Sequence, residues 1–421
     1  MASSDQTNPG RVHVIGAGLA GLAAATRLVR AGRQVTLYEA ASQAGGRCRS
    51  YDDAELGCRI DNGNHLIVSG NVAAMAYISE IGAASTFASE DKAIYPFVDL
   101  ASNERWSVRP TEGLMPWWLL VPSRRTKGTS LLDYLDAEKL ARASEHAVVT
   151  DIVDKRKVAF RRLWAPLCVA ALNTAPEEAS AQLLGRLFKD TFGQGGAALH
   201  PLFPHVGLSE SLVDPALAQL SAKGAEVMFG HRLRSLTFSN DAVTHLDFGK
   251  TEVTLAPGDE VVLAVTAPVA TDLLPGLTAP DSFRAIVNAH FRWSGVVPPR
   301  PFIGVIGGTA EWVFVKPGIL STTTSAAEAI IDLPAEELAA RLWRDVAAAC
   351  DLGNAALPTW RVVKEKRATF AATPVQLRRR PGPKTSWSNL VLAGDWTDTG
   401  WPSTIEGAIQ SGFTAAAALA A

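Results

Sequence analysis

The stretch Val12 to Glu39, VHVIGAGLAGLAAATRLVRAGRQVTLYE, constrains the fold of this chain more than any other. Val12, Val14 and Ile15 make the short apolar run of a buried parallel strand. Gly16, Gly18 and Gly21 follow in GxGxxG spacing, then Leu22, Ala25, Leu28 and Val29 recur at helical intervals until Gly32 stops the helix. Val35 to Tyr38 form a second strand, and Glu39 ends it about 20 residues after the glycines, where a ribose hydroxyl needs an acceptor. Each part has a physical task. Gly16 permits the tight turn, Gly18 lets backbone approach a pyrophosphate, and Gly21 lets helix and strand pack closely. The helix N-terminus at Leu19 and Ala20 offers N–H groups and a partial positive charge to phosphates. A dinucleotide site is the expectation.

With 421 residues the chain is too long for one simple core, so two closely packed domains are expected. A net charge of −2 gives no footprint for nucleic acid. Cys48, Cys58, Cys168 and Cys350 are scattered without a CxxC pair, which argues against a metal site and fits reduced thiols in a cytoplasm. Residues 1–10 are polar and lack the apolar stretch of a secretory signal, and no run of about 20 apolar residues could span a bilayer.

Just past Glu39 and Ala40, Gly45, Gly46 and Arg47 form a GGR turn whose glycines let backbone press against a flat ligand while Arg47 reaches a phosphate. So soon after the acid of a dinucleotide motif, this turn points to FAD. Asp61-Asn62-Gly63-Asn64-His65 makes another loop that returns towards the cofactor. Near the C-terminus, Leu390 to Asp395 reads as a strand ending in Gly394-Asp395, followed by WTDTGWPSTIEGAIQSG.

Together these motifs resemble the flavin amine oxidase and phytoene desaturase superfamily. The wording AGDWTDTGWPSTIEGAIQSG, with DNGNHLIVSGN and KEKRATFAATP, is similar more narrowly to the squalene-associated, FAD-dependent hydroxysqualene dehydroxylase family of bacterial hopanoid pathways. The family's usual DNGQH stands here as DNGNH, with Asn64 for Gln, and Trp401 stands where Leu is common. The resemblance implies an α/β fold: a discontinuous Rossmann-type FAD-binding domain (1–72, 208–280 and 385–421) plus an α+β substrate domain with a mixed or antiparallel sheet (73–207 and 281–384). It places Asp395 on the ribityl chain, and puts Gly394, Ser403, Thr404, Ile405, Glu406 and Ala408 around the helix start that faces the flavin N1/C2 edge, where the dipole stabilises negative charge. Gly63, Asn64 and His65 should lie near the isoalloxazine, and the segment 225–236 should bring Leu233 to the adenine side.

The implied substrate is a long-chain isoprenoid, hydroxysqualene, and the implied reaction is loss of its hydroxyl with hydride delivery from reduced FAD. An electron donor that the sequence does not identify must reload the flavin. His65, Arg367 and Lys316 are the candidate catalytic groups; each has a plainer reading, as a loop hydrogen bond, an ion pair and a solvated strand end. Trp396 and Trp401 could offer aromatic faces to a cation. Trp312, Phe314 and Lys316 share one side of a strand by even spacing within 301–324, which reads as an antiparallel hairpin. The apolar stretch 113–122, with Trp117 and Trp118, runs into Arg124, Arg125 and Lys127, a pattern for peripheral contact with the inner face of the cytoplasmic membrane or, equally, for core packing. A carotenoid-type desaturase, an amine oxidase or a non-catalytic isoprenoid carrier of this fold are the alternatives. Only five Tyr in the chain speak against an amine cage, and a complete C-terminal flavin segment speaks against a carrier.

Overall fold

The computed structural model describes residues 10–420; the polar stretch 1–9, which carries much of the no-signal expectation, and Ala421 lie outside the described residues. The first strand, β1 (Val12–Ile15), is buried along its whole length, as its unbroken apolar run predicts. It leads through the glycine turn into α1 (Leu19–Arg30) and then β2 (Val35–Glu39). A five-stranded, wholly parallel sheet forms in the order Glu226–Phe229, β2, β1, Glu260–Leu263, Leu390–Leu392. Three separated pieces of chain therefore build one sheet.

One face is covered by α1, by the C-terminal helix Ile405–Ala420 and by the helices Val72–Glu80 and Asp214–Ala222, whose apolar sides form a single cluster. α1 and the C-terminal helix approach so closely that a side chain at Gly412 would run into the backbone of Ala20. The boundary expected at 72 needs correcting, because Ala73, Ala74, Tyr77 and Ile78 lie within this same cluster. An antiparallel meander, Ser235–Ser239, Ala242–Asp247 and Glu252–Thr254, covers the other face. The strand expected over 232–236 starts later. His231 N–H is held by the Glu39 carbonyl at 2.8 Å and Arg234 N–H by the Asp247 carbonyl at 2.8 Å, so the residues between them cross from one sheet to the other.

The second sheet has seven strands in the order Trp360–Phe370, Phe283–Arg292, Ile319–Thr324, Trp312–Lys316, Phe302–Ile306, Tyr95–Asp99, Glu104–Val108. It is antiparallel except where Phe302–Ile306 runs parallel to Tyr95–Asp99. Alternation along Trp312–Lys316 divides its sides. Val313 joins the cluster under helix Ala335–Ala349, while Trp312 and Phe314 join an aromatic cluster with Tyr95, Phe97 and Phe302 on the opposite face. Among the described residues, no helix is long and apolar enough to cross a membrane.

Candidate functional site

The glycine turn has the division of labour that its spacing predicts. Gly16 adopts a φ of 105°, and a side chain at Gly21 would fall onto the Gly16 carbonyl, so both positions exclude larger residues. Gly18 is different. A methyl there would meet nothing within 4 Å among the described residues, which leaves an open cradle at the start of α1. The second glycine turn lies alongside: Gly45 N–H donates to the Ala17 carbonyl at 2.8 Å, and Gly45 and Gly46 take φ values of 103° and 55°. Glu39 braces the first turn and the end of its own strand, its carboxylate accepting from Ala17 N–H and Ala41 N–H at 2.8 Å each. Ala40 follows it at the rim, and buried Leu233 sits two residues past His231, whose N–H is bound to the Glu39 carbonyl.

The C-terminal piece closes the site. Arg47 Nη2 donates to Asp395 Oδ1 at 2.7 Å, joining residues 348 apart in sequence, and Arg47 also bonds the Ala368 carbonyl. Ser403 Oγ bonds the other Asp395 oxygen. Burial alone would raise the Asp395 pKa, but the Arg47 guanidinium, with Ser403 and Arg380, holds it below the usual carboxylate range. Gly394 N–H is held by Ser411 Oγ at 2.8 Å, which sets the turn on the final helix. There Thr404 caps the start, its hydroxyl accepting from Gly407 N–H at 3.1 Å and its carbonyl from Ala408 N–H at 2.9 Å. Ile405 N–H and Glu406 N–H have no acceptor among the described residues. Any contact Glu406 makes with a ligand here is through its backbone, because its carboxylate accepts from Ala73 N–H and Ala74 N–H at 2.9 and 2.8 Å and caps helix Val72–Glu80 instead.

The loop 61–65 lies between the two sheets. Asn64 Nδ2 donates to the Thr322 carbonyl and to Thr323 Oγ1, both at 3.2 Å, and Thr323 Oγ1 donates to Asn288 Oδ1 at 2.8 Å. Gly63 sits so close to the Asn288 amide that a methyl would come within 3.2 Å of it. Asp61 is buried and fully bonded: one oxygen accepts from Ser50 Oγ at 2.6 Å and Leu208 N–H at 2.8 Å, and the other takes Lys316 Nζ at 2.6 Å. Burial pushes the Asp61 pKa up, and Lys316 with these hydrogen bonds more than reverses it. His65 is deeply set yet keeps accessible surface, as a residue lining an internal space does. Burial lowers its pKa to about 4, with Arg47 and Lys316 adding to the shift and Asp61 opposing it.

The candidate groups are therefore only partly brought together. Lys316 ends its strand with its side chain 27% exposed, as the plainer reading has it, and pairs there with buried Asp61. His65 is inside but uncharged at neutral pH. Arg367 is exposed, its guanidinium 6.0 Å from the centre of the Phe283 ring, and is not gathered into the cluster around Asp61. The expectation for Trp396 is corrected: its Nε1–H donates to the Val265 carbonyl at 2.8 Å, its indole lies against Gly394 in the core, and no face remains for a cation. Sequence reading missed Arg380, whose Nη2 donates to the Asp395 and Thr397 carbonyls and to Thr399 Oγ1 and so braces the turn from behind. Its one signal is a basic run beside the motif, which does not distinguish a brace from a surface patch. Asn288 and His290, buried on one strand, carried no signal at all.

An open cradle at Gly18, N–H groups of Ile405 and Glu406 without an acceptor among the described residues, and the Arg47 guanidinium held on Asp395 would suit a bound dinucleotide. Such a fold and site define a flavin-dependent oxidoreductase. Residues 19–420 match the family described as flavin containing amine oxidoreductase, and the chain belongs to that family. It is 49% identical over 406 residues to a hydroxysqualene dehydroxylase of Rhodopseudomonas palustris, covering 96% of this chain and 97% of that one. With a hydroxysqualene dehydroxylase of Sinorhizobium fredii it shares 45% identity over 410 residues, covering 97% and 98%. Among solved structures, cyclohexylamine oxidase from Brevibacterium oxydans superposes with a TM-score of 0.70 at 17% identity, covering 98% of this chain and 99% of that one, a likeness of fold.

Proposed function

We propose that this chain is an FAD-dependent oxidoreductase that reductively removes the hydroxyl of hydroxysqualene, giving squalene and water. The observation that carries the reading is identity of 49% and 45%, over nearly the whole chain, to proteins named for that reaction. Gly18, Arg47, Asp395 and the start of the final helix would hold FAD, with Glu39 and Leu233 on its adenosine side. Reduced FAD, when bound, supplies the hydride that takes the place of the departing hydroxyl. The protein's own part is to hold the chain of the substrate, exclude water, provide a proton for the leaving oxygen and shelter a developing allylic cation.

Trp312, the half-buried member of the aromatic cluster, offers a ring on the side of the sheet that also carries Lys316, with Phe302 and Phe314 packed behind it. Of the three proton-donor candidates, Lys316 is the half-buried one that pairs with buried Asp61. Its pairing with Asp61 keeps the ammonium beside loop 61–65. His65, neutral there, serves as a hydrogen-bonding wall, and Arg367 is left without a part in the chemistry. The reading includes an electron donor outside this chain and a peripheral membrane contact through 113–127, on the cytoplasmic side.

The test is anaerobic. Enzyme reduced chemically and mixed with hydroxysqualene should reoxidise its flavin and form squalene, read by absorbance and mass analysis. Reduced flavin that persists with hydroxysqualene, together with reduction of oxidised enzyme by a carotenoid precursor or an amine, would transfer the chain to a desaturase or an amine oxidase.

A further inference from the structure

Two short turns on the substrate domain expose large apolar side chains beside one another. In the first, Leu114, Trp117 and Leu120 are 69%, 60% and 58% exposed; in the second, Leu131, Leu132 and Leu135 are 42%, 69% and 56% exposed. The expected membrane stretch contained only the first. It also placed Trp117 and Trp118 together at the surface, whereas Trp118 is 4% exposed and meets Tyr134 of the second turn edge-on, ring centres 5.5 Å apart. Tyr134 Oη accepts from Thr126 N–H at 3.1 Å, and Trp164 Nε1–H donates to the Asp133 carbonyl at 3.2 Å. The inward residues thus pack the two turns against each other, while the leucines stay exposed. Trp118 and Tyr134 belong to the buried aromatic cluster that includes Phe302 and Phe314, and Phe314 is two residues from Lys316, so one packed cluster runs from this face to the strand that carries Lys316.

The rim says what covers the face. Arg109, Arg124 and Arg125 pair with no carboxylate among the described residues. Arg124 Nε donates to the Arg109 carbonyl at 3.0 Å and Arg125 Nη1 to the Leu119 carbonyl at 2.6 Å, which fixes their positions and leaves their charge uncompensated. The nearby acids are taken: Glu112 by His200, Glu104 by Lys127 and Arg162, and Asp133 by the Ser130 N–H and hydroxyl. An apolar platform with an uncompensated cationic rim matches an anionic bilayer, apolar side chains in the acyl region and arginines at the phosphates.

We propose that the turn 131–135 and the turn 114–121 form one rigid, two-point anchor on an anionic lipid bilayer, which holds the substrate domain against the phase in which a hydrocarbon substrate dissolves. This rests on the reading of the substrate as a C30 isoprenoid. Leu132→Ser/Leu135→Ser in the FAD-loaded protein leaves 113–127 intact. It should lower flotation with phosphatidylglycerol vesicles by at least about tenfold, as should Trp117→Ala/Leu120→Ser, with flavin content unchanged. Wild type should float weakly with phosphatidylcholine alone and lose binding as salt rises.

Turnover of hydroxysqualene by the 132/135 variant should fall when substrate is in vesicles and hold when it is in detergent. Flotation equal to wild type for the 132/135 variant would remove the second turn from the anchor. A wild-type dimer that this variant dissociates, with flotation unchanged, would give the face to a second copy of the chain. Absence of turnover in detergent by wild type itself would instead count against the substrate reading, leaving the flotation result to stand by itself.

Discussion

Lys316 and Asp61 are a residue-scale test of the chemistry. Replacing one partner alone would strand a buried charge, so the informative variant is Lys316→Met with Asp61→Asn. It should keep FAD bound and lower turnover by about 100-fold, the usual contribution of a positioned acid. Turnover near wild type would assign the proton to another group. His290 sets a second expectation, one of pH. Its Nδ1 lies 2.8 Å from Ser321 Oγ, its Nε2 has no hydrogen-bond partner among the described residues, and burial lowers its pKa from 6.5 to about 4. Between those values the unfolded chain binds the proton and the folded chain does not. Stability therefore falls as pH drops, by about 1.4 kcal/mol per unit for this residue. Urea unfolding from pH 6 to 4.5 should show a shallower loss in His290→Phe than in wild type. Parallel slopes would mean that His290 is not held neutral.

At the scale of elements, the glycine turn and the final helix separate ligand effects from folding effects. Gly18 has φ −73°, which alanine accepts, and open space where its methyl would go. Gly18→Ala should leave stability within about 0.5 kcal/mol and yield protein without flavin, because the methyl occupies the cradle. Gly21→Ala should instead lower the melting temperature of the protein even before flavin is added, since its methyl meets backbone. Matching behaviour of the two variants would refute the assigned division. Glu406→Ala leaves Ala73 N–H and Ala74 N–H uncapped in a buried place, at a cost of about 1–3 kcal/mol. Thermal unfolding should register that cost, and a wild-type midpoint would remove the capping role.

For the whole molecule, the Arg47–Asp395 bridge ties the first piece of chain to the last. It should matter most once FAD is present, when both residues are enclosed around a charged ligand. Arg47→Met should weaken FAD binding at least about tenfold, the worth of one charge-assisted hydrogen bond, measured by fluorescence titration of apoprotein. An unchanged affinity would mean that the bridge only joins the two pieces. Loop 61–65 plays the corresponding part between the sheets, and Asn64 is suited to it because its short amide reaches both Thr322 and Thr323.

Much of this was legible without coordinates, for a physical reason. A positive φ at Gly16, an open approach at Gly18, the strand periods and the helix start at Thr404 are local backbone properties. Residue type and spacing dictate them, so the first strand, turn, helix and second strand could be read directly, while the later pieces of the sheet were expected from the family resemblance. The pairing of Lys316 with Asp61, the tucking of Trp396 and Trp118, the outward turn of Arg367 and the use of Glu406 as a distant cap could not. Those are decided by which side chains meet across hundreds of residues when separate pieces pack into one core. Periodicity assigns a side chain to a face of its own element; only the assembled layers determine what waits on that face.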